Sequence, residues 1–233
     1  MLSHRQATTL AGILTITGIV AGIFSIVPAV EQKDYLTLAA EHKNQIIWGA
    51  LFQSIMVPAY VGFALCLYPF LKTKNETLSV GFMGFRLMTG MLHLIGILFL
   101  PLLLVLSQKY VQAGKPNTAH FQDVGTLLRL GRDLVNHVAL IFSLCLGDLL
   151  MLVILYRSKW IPRWLSIWGF LGIGLAIVAS FLVLFQMVAV VTPFYLGLNA
   201  PLGLHSIVLA IWFIAKGFDI KSQDTDQHVQ TTG

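Results

Sequence analysis

The sequence predicts an all-α, polytopic membrane helical bundle of six transmembrane helices. Three observations carry this expectation. The chain of 233 residues is 57% hydrophobic and only 11% charged, against roughly 25% charged in a soluble domain. Its apolar residues gather in six runs, each long enough to cross a hydrocarbon core of ~30 Å. Lysines and arginines lie mostly between the runs, which is membrane anchoring and not the clustered basic face that nucleic-acid binding requires. The bilayer is therefore expected as the main partner, and nucleic acid is excluded.

The first span is expected over 7–30. It exceeds the ~7–15 apolar residues of a cleavable signal, so it should stay in the protein. Gly18 and Gly22 give it a small-residue stripe that admits another helix closely. That helix belongs either to the same chain or to a second copy in a homo-oligomer. The second span, 46–71, holds Gln53, Ser54 and Pro58; proline removes one backbone bond and bends the helix there. A short basic turn follows. The third span, 78–106, carries Arg86 and His93 seven residues apart, on nearly one helix face.

The long connection 107–132 places Phe121, Val124, Leu127 and Leu128 at helical spacing, which predicts a short helix lying on the membrane surface. The fourth span, 133–156, carries Asp133, His137 and Asp148. Eleven residues separate His137 from Asp148, a rotation of only about 20° on a regular helix, so a polar stripe should face inward. The fifth, 164–191, is uncharged and bears Gly172, Ala176 and Ser180. The uncharged stretch 192–200 should lie in the interface or dip inward. The sixth span, 201–218, carries His205, and 219–233 reads as a polar tail.

Cys66 and Cys145 sit inside apolar runs and read as packing residues. Tyr68, Gly81, Phe82, Gly84 and Leu87 recur 88 positions later as Tyr156, Gly169, Phe170, Gly172 and Leu175, an echo that would fit a duplicated hairpin. With the N-terminus inside, the cytoplasmic segments hold Arg5, Lys72, Lys74, Arg157, Lys159, Arg163, Lys216 and Lys221, against Lys33, Lys43, Lys109, Lys115, Arg129 and Arg132 outside. This bias predicts both termini in the cytoplasm.

Two stretches, GFRLMTGMLHLIGIL over 84–98 and LYRSKWIPRWLSIWGFLGI over 155–173, resemble a bacterial membrane family catalogued as domain of unknown function 4386. The resemblance covers nearly the whole chain. It implies a compact six-helix protein of the bacterial inner membrane. It supplies no reaction and no functional residues.

A lone charge inside the hydrocarbon costs at least ~2.5–3.5 kcal/mol. Arg86 and Asp148 each stand about eight residues from the cytoplasmic end of their spans, roughly 12 Å deep. They are therefore candidates for a buried ion pair across adjacent antiparallel helices. The other outcome is an Arg86 that snorkels to the headgroups beside a protonated Asp148. His93, Asp133, His137 and His205 are expected to complete a central polar cavity. Such a cavity would serve small-solute or proton translocation. The alternative is a non-catalytic structural, regulatory or partner-binding membrane protein. A more remote one is a b-type haem bundle with His93 and His137 or His205 as axial ligands. No His-Glu-x-x-His, paired aspartates or nucleophile motif is present, so no catalytic residue, metal site or cofactor is expected.

Overall fold

The structure, a computed structural model, describes residues 2–114 and 119–219. Among them, six helical stretches are long and apolar enough to cross a membrane. The tail expected over 219–233 lies, beyond Asp219, outside the described residues.

Helix α1 (His4–Phe24) starts where Ser3 and Gln6 cap it reciprocally. The Gln6 amide donates to Ser3 Oγ at 3.2 Å, and the Ser3 amide donates to Gln6 Oε1 at 3.0 Å. This pairing satisfies two otherwise orphaned N–H groups. The helix ends at Ser25, whose hydroxyl donates to the Gly22 carbonyl at 2.7 Å. The expected span 7–30 is thus shorter at its far end, because Pro28 starts a separate turn, α2 (Pro28–Glu31). Helix α3 (Tyr35–Glu41) follows, then α4 (Lys43–Leu71), which carries Pro58 and Pro69 inside it. Helix α5 (Glu76–Ala113) is capped by Asn75, whose Oδ1 accepts from the Leu78 amide at 2.9 Å.

The surface helix expected within 107–132 is not a separate element. Helix α6 (Ala119–Leu134) passes through a π-helical turn (Val135–Ala139) into α7 (Leu140–Ser158) without leaving the helical state. No proline interrupts positions 117–161, so no residue there blocks the helix from continuing. At 1.5 Å per residue, this 40-residue stretch and the 38 residues of α5 reach about 60 Å, twice the bilayer core. Both project beyond the membrane. Phe121 and Leu128 pack there on Tyr35, Leu36, Leu100 and Leu104 instead of on lipid, while Val124 and Leu127 are exposed.

Lys159, in the left-handed region at φ 56°, ends α7, and α8 (Arg163–Leu184) begins after Pro162. Helix α9 (Pro193–Ala215) corrects two expected boundaries. The stretch 192–200 is not an interfacial connection but the beginning of the sixth spanning helix. Thr192 Oγ1 accepts from the Tyr195 amide at 3.3 Å, and Pro193 occupies the first turn, where its missing N–H costs nothing. Pro201 sits inside the helix. The true connection after α8 is therefore 185–192.

The spanning helices form a ring in chain order, α1, α4, α5, α7, α8 and α9, with α9 packed back on α1. Small residues set the closest approaches. A Cβ added at Gly12 would lie 2.6 Å from the Ala210 carbonyl oxygen, and one at Gly172 would lie 2.9 Å from Leu202 Cα. The Gly18 and Gly22 stripe packs within the chain, on Ala59 and Met56 of α4. The two hairpins of the internal echo turn at the same end of the bundle, yet Gly84 is exposed where Gly172 makes a helix crossing.

One end of the ring, the turn end, carries the start of α1, the end of α9 and both short hairpin turns. A continuous core including Leu67, Leu71, Phe82, Leu155, Trp160 and Phe213 fills it. The opposite end is capped by α2, α3 and the projecting parts of α5 and α6, around Val27, Tyr35 and Leu103. Leu94, Leu98, Leu171 and Leu204 stand exposed on the outside, as lipid-facing residues do.

Candidate functional site: an ion pair between two cavities

Asp148 lies on α7 one residue after Gly147, where the backbone of α7 comes close to α5. A Cβ on Gly147 would sit 3.3 Å from Phe85 Cβ. This approach lets the Arg86 guanidinium donate to the Asp148 carboxylate. Both residues are buried. The Arg86 guanidinium also stands 4.6 Å from the Phe63 ring centroid and 5.8 Å from that of Phe82, close enough for cation–π attraction. Hydroxyls knit the same two helices one turn further along. Thr89 donates to Ser143 at 3.2 Å, and Ser143 donates to the Phe85 carbonyl at 2.8 Å.

The other sequence-selected residues do not meet in one cluster. Two cavities separate them. The inner cavity, about 500 Å³, holds Arg86 and Asp148 with His205, Tyr60 and Phe63. The outer cavity, about 930 Å³, opens at the capped end and is lined by His93, His137, Gln53, Asn136, Arg132 and Glu31. Gly22, Met56 and Tyr60 line both. His205 is 3% exposed and meets Trp168 edge-on at 6.0 Å. His93 meets Tyr60 edge-on at 5.7 Å. Neither of its ring nitrogens has a hydrogen-bond partner among the described residues, although the Gln53 backbone is nearby.

His137 falls in the π-helical turn. Its Nδ1 shares a hydrogen bond of 2.8 Å with the Tyr195 hydroxyl, and Ser180 donates to its backbone carbonyl at 2.9 Å. Asp133 lines neither cavity. It lies 3.9 Å from Arg132, whose guanidinium instead donates to Glu31 at 2.6 Å. The π-helical turn adds to the separation. It winds less per residue than an α-helix, so Asp148 is offset from the face expected on a regular helix relative to His137 inside the turn.

Tyr60, Gln53, Asn136 and the Arg132–Glu31 pair are site residues that sequence reasoning did not select. One signal was available. Gln53 and Tyr60 stand seven apart on α4, as Arg86 and His93 do on α5, and that spacing puts each pair on one face. The Arg132–Glu31 pair joins α6 to α2 across 101 positions, and no local spacing encodes it.

A ring of six spanning helices with a charged pair at its centre defines the class, a multi-pass helical membrane protein. More particularly, the chain belongs to the family described as Domain of unknown function (DUF4386), whose model matches residues 10–217. No curated protein and no solved structure matches it.

Proposed function

We propose that the protein moves a small solute or protons across the bacterial cytoplasmic membrane, with both termini in the cytoplasm. The observation that carries this reading is the sharing of Gly22, Met56 and Tyr60 by the two cavities. We read the two together as one route from the capped end down to Arg86 and Asp148. Below the pair, Phe82, Leu152, Leu155 and Phe213 close the turn end. Alternating access needs such an asymmetry, open on one side and shut on the other. Ionisable groups within a membrane mark pathways of this kind, and lysine and arginine counts favour the turn end as the cytoplasmic one.

The test is flux into proteoliposomes holding a pH-sensitive dye under a potassium-diffusion potential. Proton entry above that of protein-free vesicles, lost in Asp148→Asn, supports the reading. Entry that equals vesicle leakage, together with no uptake of labelled small polar solutes, overturns it. A second reading, a structural, regulatory or partner-binding protein, is favoured by the close engagement of the ion pair with Phe63 and Phe82. It predicts no flux in any variant, together with stability losses in all variants of the pair.

A further inference from the structure

The helix ring is not equally closed along its length. At the turn end α1 and α9 are in contact. Gly12 lies against Ala210 and Ile214, and Arg5 donates to the last carbonyls of α9. Farther along, the two helices turn to different neighbours. Gly18 and Gly22 of α1 pack on Ala59 and Met56 of α4, while Leu202 of α9 packs on Gly172 of α8. The inner cavity occupies the seam between them. Its walls are Leu14, Gly18 and Ile19 on one side and Gly203, Leu204 and Ile207 on the other, and Gly203 and Leu204 are surface-exposed. Since both helices span the bilayer, this mouth faces hydrocarbon.

The interior combines an aliphatic shaft with a small polar end. Arg86 is 6% exposed and His205 3% exposed. Arg86 and Asp148 both line the cavity with side chains still 7% and 12% exposed, while the His205 ring turns its Nε2 toward Gly169 and the Leu165 backbone of α8. The ion pair keeps donor and acceptor capacity on the side turned to the cavity, and leaving it unmatched is costly. The Arg86 charge is already matched by Asp148. A second anion would stand beside that carboxylate and be repelled, whereas a neutral hydroxyl can accept from the guanidinium and donate to the carboxylate. The volume falls within the ~300–1,000 Å³ of ordinary ligand pockets, which are mostly apolar with few polar groups.

We propose that this seam is a lateral entry for a neutral, single-chain amphiphile drawn from the bilayer. Its hydroxyl head accepts from Arg86 and donates to Asp148, and its chain lies between α1 and α9. This inference does not depend on translocation, since binding needs no flux.

The test uses full-length protein in phospholipid vesicles and a long-chain fatty alcohol carrying a photoreactive diazirine and an alkyne, with labelled peptides mapped by mass spectrometry. The expected result is labelling concentrated on α1 around 14–22 and on α9 around 200–207, competed by unlabelled long-chain alcohol. Gly203→Phe supplies the control. A Cβ there meets nothing within 4 Å, so the variant folds and its ring fills the mouth. Labelling should fall about tenfold, equivalent to ~1.4 kcal/mol of binding energy. Labelling spread evenly over the lipid-facing surface, or unchanged by competitor or by Gly203→Phe, overturns the proposal. Stronger labelling by the matching fatty carboxylate than by the alcohol overturns the neutral head.

Discussion

The Arg5 guanidinium, at the start of the first spanning helix, donates to the backbone carbonyl of Ile214 near the end of the last one, at 2.6 Å. The same nitrogen donates to Ala215 at 3.0 Å. A cation is thereby placed on the final carbonyls of α9, where the helix dipole and the unpaired acceptors favour it. The contact closes the ring, and Gly12 permits it by leaving no side chain between the two backbones.

Removing this closure should loosen the seam from its tight end. Arg5→Ala is expected to cost about 1 kcal/mol, a fall of roughly 2–4 °C in the unfolding midpoint for a chain this long. Gly12→Val forces β-branched bulk against the Ala210 carbonyl and should cost more, about 1–3 kcal/mol. Thermal unfolding in detergent, followed by intrinsic fluorescence, distinguishes the two. A Gly12→Val midpoint at or above the wild-type value would contradict the packing described.

The Arg86–Asp148 pair predicts strong non-additivity. Breaking a buried pair from one side leaves an uncompensated charge and should cost about 3–5 kcal/mol. Arg86→Ala and Asp148→Asn should therefore each destabilise strongly. The double variant should lose less than their sum, since neither charge remains alone. Additive midpoints in the double-mutant cycle would show that the two side chains do not act together.

The π-helical turn depends on α8 and α9 as well as on its own residues. Tyr195→Phe removes the hydroxyl bonded to His137 Nδ1, and Ser180→Ala removes the donor to the His137 carbonyl. Each should cost about 0.5–1.5 kcal/mol. Hydrogen exchange offers a local readout, with amides of 135–141 expected to exchange faster in both variants than in wild type. Unchanged exchange there, with faster exchange elsewhere, would place the stabilisation in another part of the bundle.

Lys159 ends α7 with φ at 56°, a conformation that costs a residue bearing a Cβ about 1–2 kcal/mol and glycine far less. Part of that gain is lost to the greater freedom of glycine in the unfolded chain. Lys159→Gly should therefore raise stability by about 0.5–1 kcal/mol. A lower midpoint in the same unfolding assay would mean that Lys159's side-chain contacts outweigh the backbone strain.

Much of the architecture was legible because it derives from composition and local chemistry. Six apolar runs in a chain with 11% charged residues leave the bilayer as the only adequate solvent, and backbone hydrogen bonding then requires helices. Helix boundaries lay in capping signals that the expected starts at 7 and 201 did not use. Ser3 with Gln6 marks the start of α1, and Thr192-Pro193 marks the start of α9. The expected start of the sixth span at 201 falls eight residues late of Pro193, and Pro201 stands inside the helix because a membrane helix tolerates an interior proline.

Composition and helical rise alone were enough to place six membrane-spanning helices and to set Arg86 and Asp148 at similar depths. Depth is a sum of fixed rises along each helix, and it needs no knowledge of the neighbours. Which polar groups share a space followed from helix packing instead. The rotation between His137 and Asp148 is altered by a π-helical turn whose carbonyl is taken by Ser180 of another helix. The Arg132–Glu31 pair exists only because α2 folds over the ring. Azimuth around a helix is cheap to change by one extra residue in a turn, so packing fixes it where sequence spacing cannot.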